Sequence, residues 1–192
     1  MICADGTLTS RVIELGQDPM RLGRWSYYTF IGKNKNKLII ICGYRCCKDQ
    51  RIEHVGESTS FSQQYSLLRQ KGVEKPDPQG QFIIDLKKFV QEKLNESCEI
   101  LLCLNANEEM ISKNSTIKEM SMRLGLYDIA KEKCANPAHI YTRKKSSRRI
   151  DFILGTAALL DSVSLFQHAP DAMGKTLGGH RVMCIDLDLK KS

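Results

Sequence analysis

The sequence predicts an α/β domain built on a mixed sheet, and three observations carry that prediction. Residues 25–31 (WSYYTFI) and 38–43 (LIIICG) are aromatic or β-branched runs. The polar turn formers GKNKNK join them, which is the pattern of an antiparallel hairpin. The stretch 98–109 (CEILLCLNANEE) holds five consecutive apolar residues between polar flanks, as a central strand covered on both faces does. Just before it, Phe82, Leu86, Phe89, Val90 and Leu94 recur at helical spacing, with Lys87, Lys88 and Lys93 expected on the wet side. A hairpin followed by interleaved helices and strands makes the sheet mixed.

The other elements follow in order. A short apolar segment at Val12 and Ile13 ends at Gly16 and Asp18-Pro19. Residues 48–60 are polar and loop-like. Phe61, Tyr65 and Leu68 mark a helix that stops before Gly72, and 75–80 (KPDPQG) breaks the chain. A third helix is expected over 116–124, where Thr116 and Glu119 have capping-box spacing and Gly125 suits the C-terminal stop. Leu126 to Ile129 opens a return segment, Ile140-Tyr141-Thr142 follows Pro137, and 150–154 (IDFIL) reads as a strand. Residues 157–166 fit a helix or a strand equally. A glycine-rich loop at 174–179 precedes a last strand over 182–189, where apolar and acidic residues alternate.

At 192 residues the chain is sized for a single domain, 1–192. Its formal net charge of +7 leans toward a polyanionic partner such as nucleic acid. The eight cysteines show no C-x-x-C pair, so zinc-finger spacing is absent. Cys42, Cys98 and Cys103 lie in or beside strand-like runs, where free thiols act as small hydrophobes. The N-terminal residues lack a secretory pattern, and no apolar run approaches the roughly 20 residues that span a bilayer. The expectation is a reduced, intracellular protein without a membrane partner, and its two Asn-x-Ser/Thr sequons are read as chance.

Several side chains are candidates for chemistry. Asn105 and Asn107 stand one residue apart where the 98–109 strand ends, placed to share a face at the sheet's rim, although asparagines also simply start turns. The strand over 38–43 delivers Tyr44 and Arg45 to the same rim. Asp151, flanked by Ile150 and Phe152, needs a donor if half-buried. His180 is the candidate, and an Asp-His pair would orient an imidazole to bind or protonate a phosphate oxygen. Beside Asp151, Arg143, Lys144, Lys145, Arg148 and Arg149 put five positive charges into seven residues. Such a run suits a phosphate backbone, a solvated loop or an address signal, the nucleus being one compartment it could specify. Gly174-Lys175-Thr176 echoes the end of a P-loop, but the first glycine and the strand-to-helix context are missing.

Together, YR at 44–45, NAN at 105–107, RRIDFIL at 148–154 and GGH at 178–180 resemble the later motifs of the endonuclease/exonuclease/phosphatase superfamily. This is the deoxyribonuclease-I-like fold, and the texture is closest to the endonuclease-like segments of retroelement-type reading frames. The resemblance, running from about residue 20 to 190, implies a partial four-layer α/β sandwich whose N-terminal part is missing. It implies magnesium-dependent phosphodiester hydrolysis, with DNA the expected partner. Tyr44 would touch the scissile phosphate, Asn105 takes the place of an aspartate that orients or deprotonates water, and Asn107 matches a phosphate-positioning asparagine. Asp151 and His180 match the aspartate–histidine pair.

The departures imply impairment. An amide at Asn105 cannot take the water's proton, Gly179 replaces a second aspartate, and the magnesium-anchoring glutamate is expected in the absent N-terminal half. No metal ligand is therefore assigned in this chain, and magnesium binding is in doubt. A lone half would also expose an apolar sheet face. A non-catalytic nucleic-acid-binding module and a non-functional retroelement remnant are the alternatives.

Overall fold

The computed structural model describes residues 5–32, 35–48, 59–134, 148–169 and 180–188. The expected hairpin is present: β2 (Trp25–Ile31) pairs antiparallel with β3 (Lys37–Tyr44), Trp25 opposite Gly43 and Ile31 opposite Lys37. The segment at Val12 becomes a full strand, β1 (Val12–Gln17), antiparallel to β2. Its sequence gives little apolar signal because it is an edge strand with mostly exposed side chains. The central run forms β4 (Cys98–Asn105), which lies parallel to β3 with Tyr44 beside Asn105. On its other side β6 (Asp151–Gly155) runs antiparallel and sets Asp151 beside Asn105. The short β5 (Tyr127–Asp128) completes a six-stranded mixed sheet in the order β1-β2-β3-β4-β6-β5.

Strand alternation divides the side chains between two faces. Trp25, Ile39, Ile41, Ile100, Leu102, Leu104, Phe152 and Leu154 enter the larger core. There α2 (Pro78–Asn95) contributes Phe82, Leu86, Phe89 and Val90, and α3 (Thr116–Arg123) contributes Ile117 and Met120. Pro78 opens α2 at its first turn, where a missing N–H costs nothing. The helix α1 (Ser60–Gln70) packs on α2. On the opposite face, Leu101 and Ile153 meet Ile129 of α4 (Ile129–Lys133), Leu159 of α5 (Ala157–Ser162) and Val163 of β7 (Val163–His168). The strands β7 and β8 (Met183–Leu187) form a second, two-stranded antiparallel sheet over that cluster.

The fold is thus a layered α/β arrangement: helices, a mixed sheet, then a second small sheet. The undecided stretch 157–166 is both structures in succession, because Thr156 starts a helix that Val163 leaves in extended backbone.

Three local expectations change. Lys93 is not on the wet side of α2: it is 7% exposed, and its ammonium reaches Glu14 of β1 at 2.9 Å and Glu96 at 3.2 Å. The cap of α3 is Ser115, accepting from the Lys118 N–H, while Thr116 donates to Glu108 at 2.9 Å. The expected apolar sheet face is partly covered, since the second sheet packs on the Leu101–Ile153 cluster, while Leu38, Ile40 and Cys103 stay only partly buried. Strong exposure remains at the edge, where Ile13 and Leu15 are 51% and 67% accessible.

Candidate active site

The rim of the central strands assembles most of the predicted residues. Tyr44, Asn105 and Asp151 are successive register partners across β3, β4 and β6. Alternation puts all three on the face opposite the larger core, because Gly43, Leu104 and Phe152 on the same strands point the other way. Asp151 is not alone there: Oδ2 lies 2.8 Å from Nδ1 of His180, three residues before β8. Residues 29 apart in sequence are therefore joined, as the Asp-His reading expects. His180 keeps a third of its side chain open to solvent while Asp151 is mostly covered.

Asn105 presents its amide in the middle of this row, and its Oδ1 is buried without a hydrogen-bond partner among the described residues. A buried acceptor left unsatisfied costs about 1–3 kcal/mol, so it marks a place where a donor such as water would be held. Asn107 departs from the strand in a left-handed conformation (φ 50°) and donates from Nδ2 to the Arg45 carbonyl at 2.6 Å. Both readings of the asparagine pair are then partly realised. Asn105 ends the strand on the rim, and Asn107 forms the turn. Burial pushes the Tyr44 phenol above its ordinary range, with Cys47 and Cys46 adding to the shift and Asn107 opposing it. At neutral pH it is a hydrogen-bond donor.

Arg45 turns away from the row. It is buried, pairs with Glu108 and donates from Nε to the Gln79 carbonyl at 3.3 Å. Glu108 also accepts from Thr116 and from the Ile117 N–H at the start of α3. Burial alone would raise that carboxyl, but hydrogen bonds from Ser115, Arg45, Thr116 and Ile117 outweigh it and hold the pKa below the usual range. This clamp ties the ends of β3 and β4 to α2 and α3. Sequence reasoning missed it, since nothing local pairs residues 45 and 108.

The basic run divides. Arg149 is nearly buried, forms a two-pronged pair with Asp128 at 2.6 and 2.5 Å, and stacks its guanidinium over Phe152. It braces β6 against β5. Arg148 stays half-exposed, with a loose 3.3 Å contact to Glu109. Arg143, Lys144 and Lys145 lie outside the described residues, as do Gly178, Gly179 and the Gly174-Lys175-Thr176 run.

The described residues do not make a divalent-metal site. Hard cations take several oxygen ligands, carboxylates foremost. Asn105 offers one neutral carbonyl, the Asp151 carboxylate is engaged by His180, and no three His, Cys, Asp or Glu side chains cluster around a metal position among the described residues.

Among solved structures the chain is similar to a 3′ phosphatase from Neisseria bound to a product DNA hairpin. The TM-score is 0.57 at 15% identity, over 91% of this chain and 70% of that one. It is also similar to an AP endonuclease from Archaeoglobus fulgidus, with a TM-score of 0.56 at 13% identity over 91% and 69%. A third is an endonuclease/exonuclease/phosphatase from Beutenbergia cavernae, at 0.55 and 12% over 91% and 43%. No family model matches the sequence, and no curated protein does. The class that the architecture defines is a layered α/β fold with a polar row at the end of its central strands. That fold is the one of the endonuclease/exonuclease/phosphatase superfamily.

Proposed function

We propose that this chain carries the phosphodiester-binding rim of a nuclease-type hydrolase, with its water-activating step disabled at Asn105. The observation that carries the reading is the row itself: Tyr44, Asn105 and Asp151 on adjacent strands, with His180 bonded to Asp151. The substrate class is a nucleic-acid phosphodiester, DNA first, in keeping with the net charge of +7 and with the DNA-processing neighbours.

In this reading the Asp151 carboxylate accepts from Nδ1 of the His180 ring, and Nε2 of the imidazolium form donates to a non-bridging phosphate oxygen. The Tyr44 hydroxyl donates to a second oxygen. A water donates to the orphaned Asn105 Oδ1 and is oriented toward phosphorus, but an amide cannot accept its proton at neutral pH. Losing general-base assistance removes about 10²–10⁴-fold in rate. Magnesium, which the resemblance implies, would supply charge stabilisation worth several kcal/mol; the donors described above do not hold it, so no step is assigned to it.

A non-catalytic nucleic-acid-binding role is the second reading, favoured by the same amide and by the exposed Arg148. Plasmid nicking and duplex binding in magnesium, with and without Asp151→Ala, test the assignment. The variant is expected to bind DNA several-fold more weakly and to lose any residual nicking. Unchanged binding and unchanged turnover would remove this rim as the site.

A further inference from the structure

One step below the polar row, on the same face of the sheet, two cysteines stand side by side. Cys42 and Cys103 are register partners in the parallel strands β3 and β4, two residues before Tyr44 and Asn105 respectively. Parallel neighbours are about 4.8 Å apart in the hydrogen-bonding direction, inside the roughly 4.4–6.8 Å Cα window in which a disulfide can close. Both residues are partly buried.

The two thiols are chemically unequal. Beside Cys103, the Cys42 thiol is brought down to about 7 against the effect of burial. The same neighbour, with burial, pushes Cys103 well above its usual range. A thiolate backed by a thiol donor is the arrangement of an attacking cysteine beside its resolving partner. Two buried cysteines elsewhere shift the other way: burial pushes Cys46 up to about 11 and also raises Cys98.

We propose that Cys42 and Cys103 are a hydroperoxide-reactive dithiol that closes into a disulfide linking β3 to β4 beneath the Tyr44–Asn105 row. The Cys42 thiolate attacks the terminal oxygen of a hydroperoxide and the O–O bond breaks. The departing alkoxide takes a proton to leave as an alcohol, or as water from hydrogen peroxide. Cys42 is then a sulfenic acid. The sulfur of Cys103 attacks it, the S–O bond breaks, and hydroxide leaves with the Cys103 proton as water. Two thiols are oxidised by two electrons and one hydroperoxide is reduced. Excess small-molecule thiol reverses the bridge by exchange.

The test treats the reduced full chain with one equivalent of hydrogen peroxide and maps it by non-reducing digestion and mass spectrometry. The expected product is a cross-linked peptide pair joining Cys42 to Cys103, formed at least about tenfold faster than oxidation of the exposed Cys47. In Cys103→Ser, dimedone should instead trap a sulfenic acid at Cys42. Oxidation falling first on Cys47 with Cys42 untouched, or a bridge joining other cysteines, overturns the proposal. The parent map decides the matter even if the variant does not fold.

Discussion

Asn105 shows how much one atom decides at this rim. Its neighbours in the row are a phenol donor and a carboxylate already bonded to an imidazole, so the amide oxygen is an acceptor left over. If the row works as a unit, His180→Ala made in an Asn105→Asp chain should lower nicking about 10²–10⁴-fold relative to Asn105→Asp alone, measured by initial rates on supercoiled plasmid. Identical rates would place His180 outside the reaction. Part of the row is legible in the sequence because Asp151 is a charged residue inside an apolar run, which demands a donor such as His180. The roles of Arg45 and Arg149 are not. By sequence Arg45 belongs to the rim and Arg149 to the basic run, yet Arg45 is buried against Glu108 and Arg149 pairs with Asp128. Those partners lie 63 and 21 residues away, and only the sheet order brings them near.

At the scale of elements, the hairpin and its return onto α2 are held by polar contacts as well as by apolar packing. Arg24, fully buried, bonds Asp18 through Nε at 2.6 Å and Asp85 of α2 through Nη1 at 2.7 Å. Removing one partner of a buried pair typically costs about 3–5 kcal/mol. Arg24→Ala should therefore lose that much in urea unfolding, whereas a change under 1 kcal/mol would mean that the pair is not needed. Burial alone would raise the Asp18 carboxyl, but bonds from Arg24, Met20 and Leu22 outweigh it and depress its pKa.

A folded-state pKa below the unfolded one stabilises the protein above the unfolded carboxylate range, about pH 3.9 for aspartate. That contribution is lost as pH falls through the folded value. Asp18→Asn should flatten the fall of Tm as pH drops below about 3.9, and an unchanged acid limb would contradict the assignment. Elements with strong period, β2, β3, β4, α1 and α2, were readable from sequence. The edge strand β1 was not, because only a short part of it is apolar. Lys93 was misplaced because its burial depends on Glu14 arriving from β1.

For the whole molecule, the question is whether charge and rim act on one ligand. With a net charge of +7, duplex binding should weaken steeply with salt. Arg148→Ala should reduce the slope of log K against log salt by about 1 if that side chain meets a phosphate, and an unaltered slope would assign it a solvated role. The central claim, that a disabled hydrolase rim is built from Tyr44, Asn105, Asp151 and His180, is tested most directly by restoring the missing base. Nicking of supercoiled DNA in magnesium should rise at least about tenfold in Asn105→Asp, within the span of general-base effects, and should return to the parent rate when Asp151→Ala is added. A restored carboxylate that leaves the rate at the parent level, or a gain that survives the loss of Asp151, would contradict it.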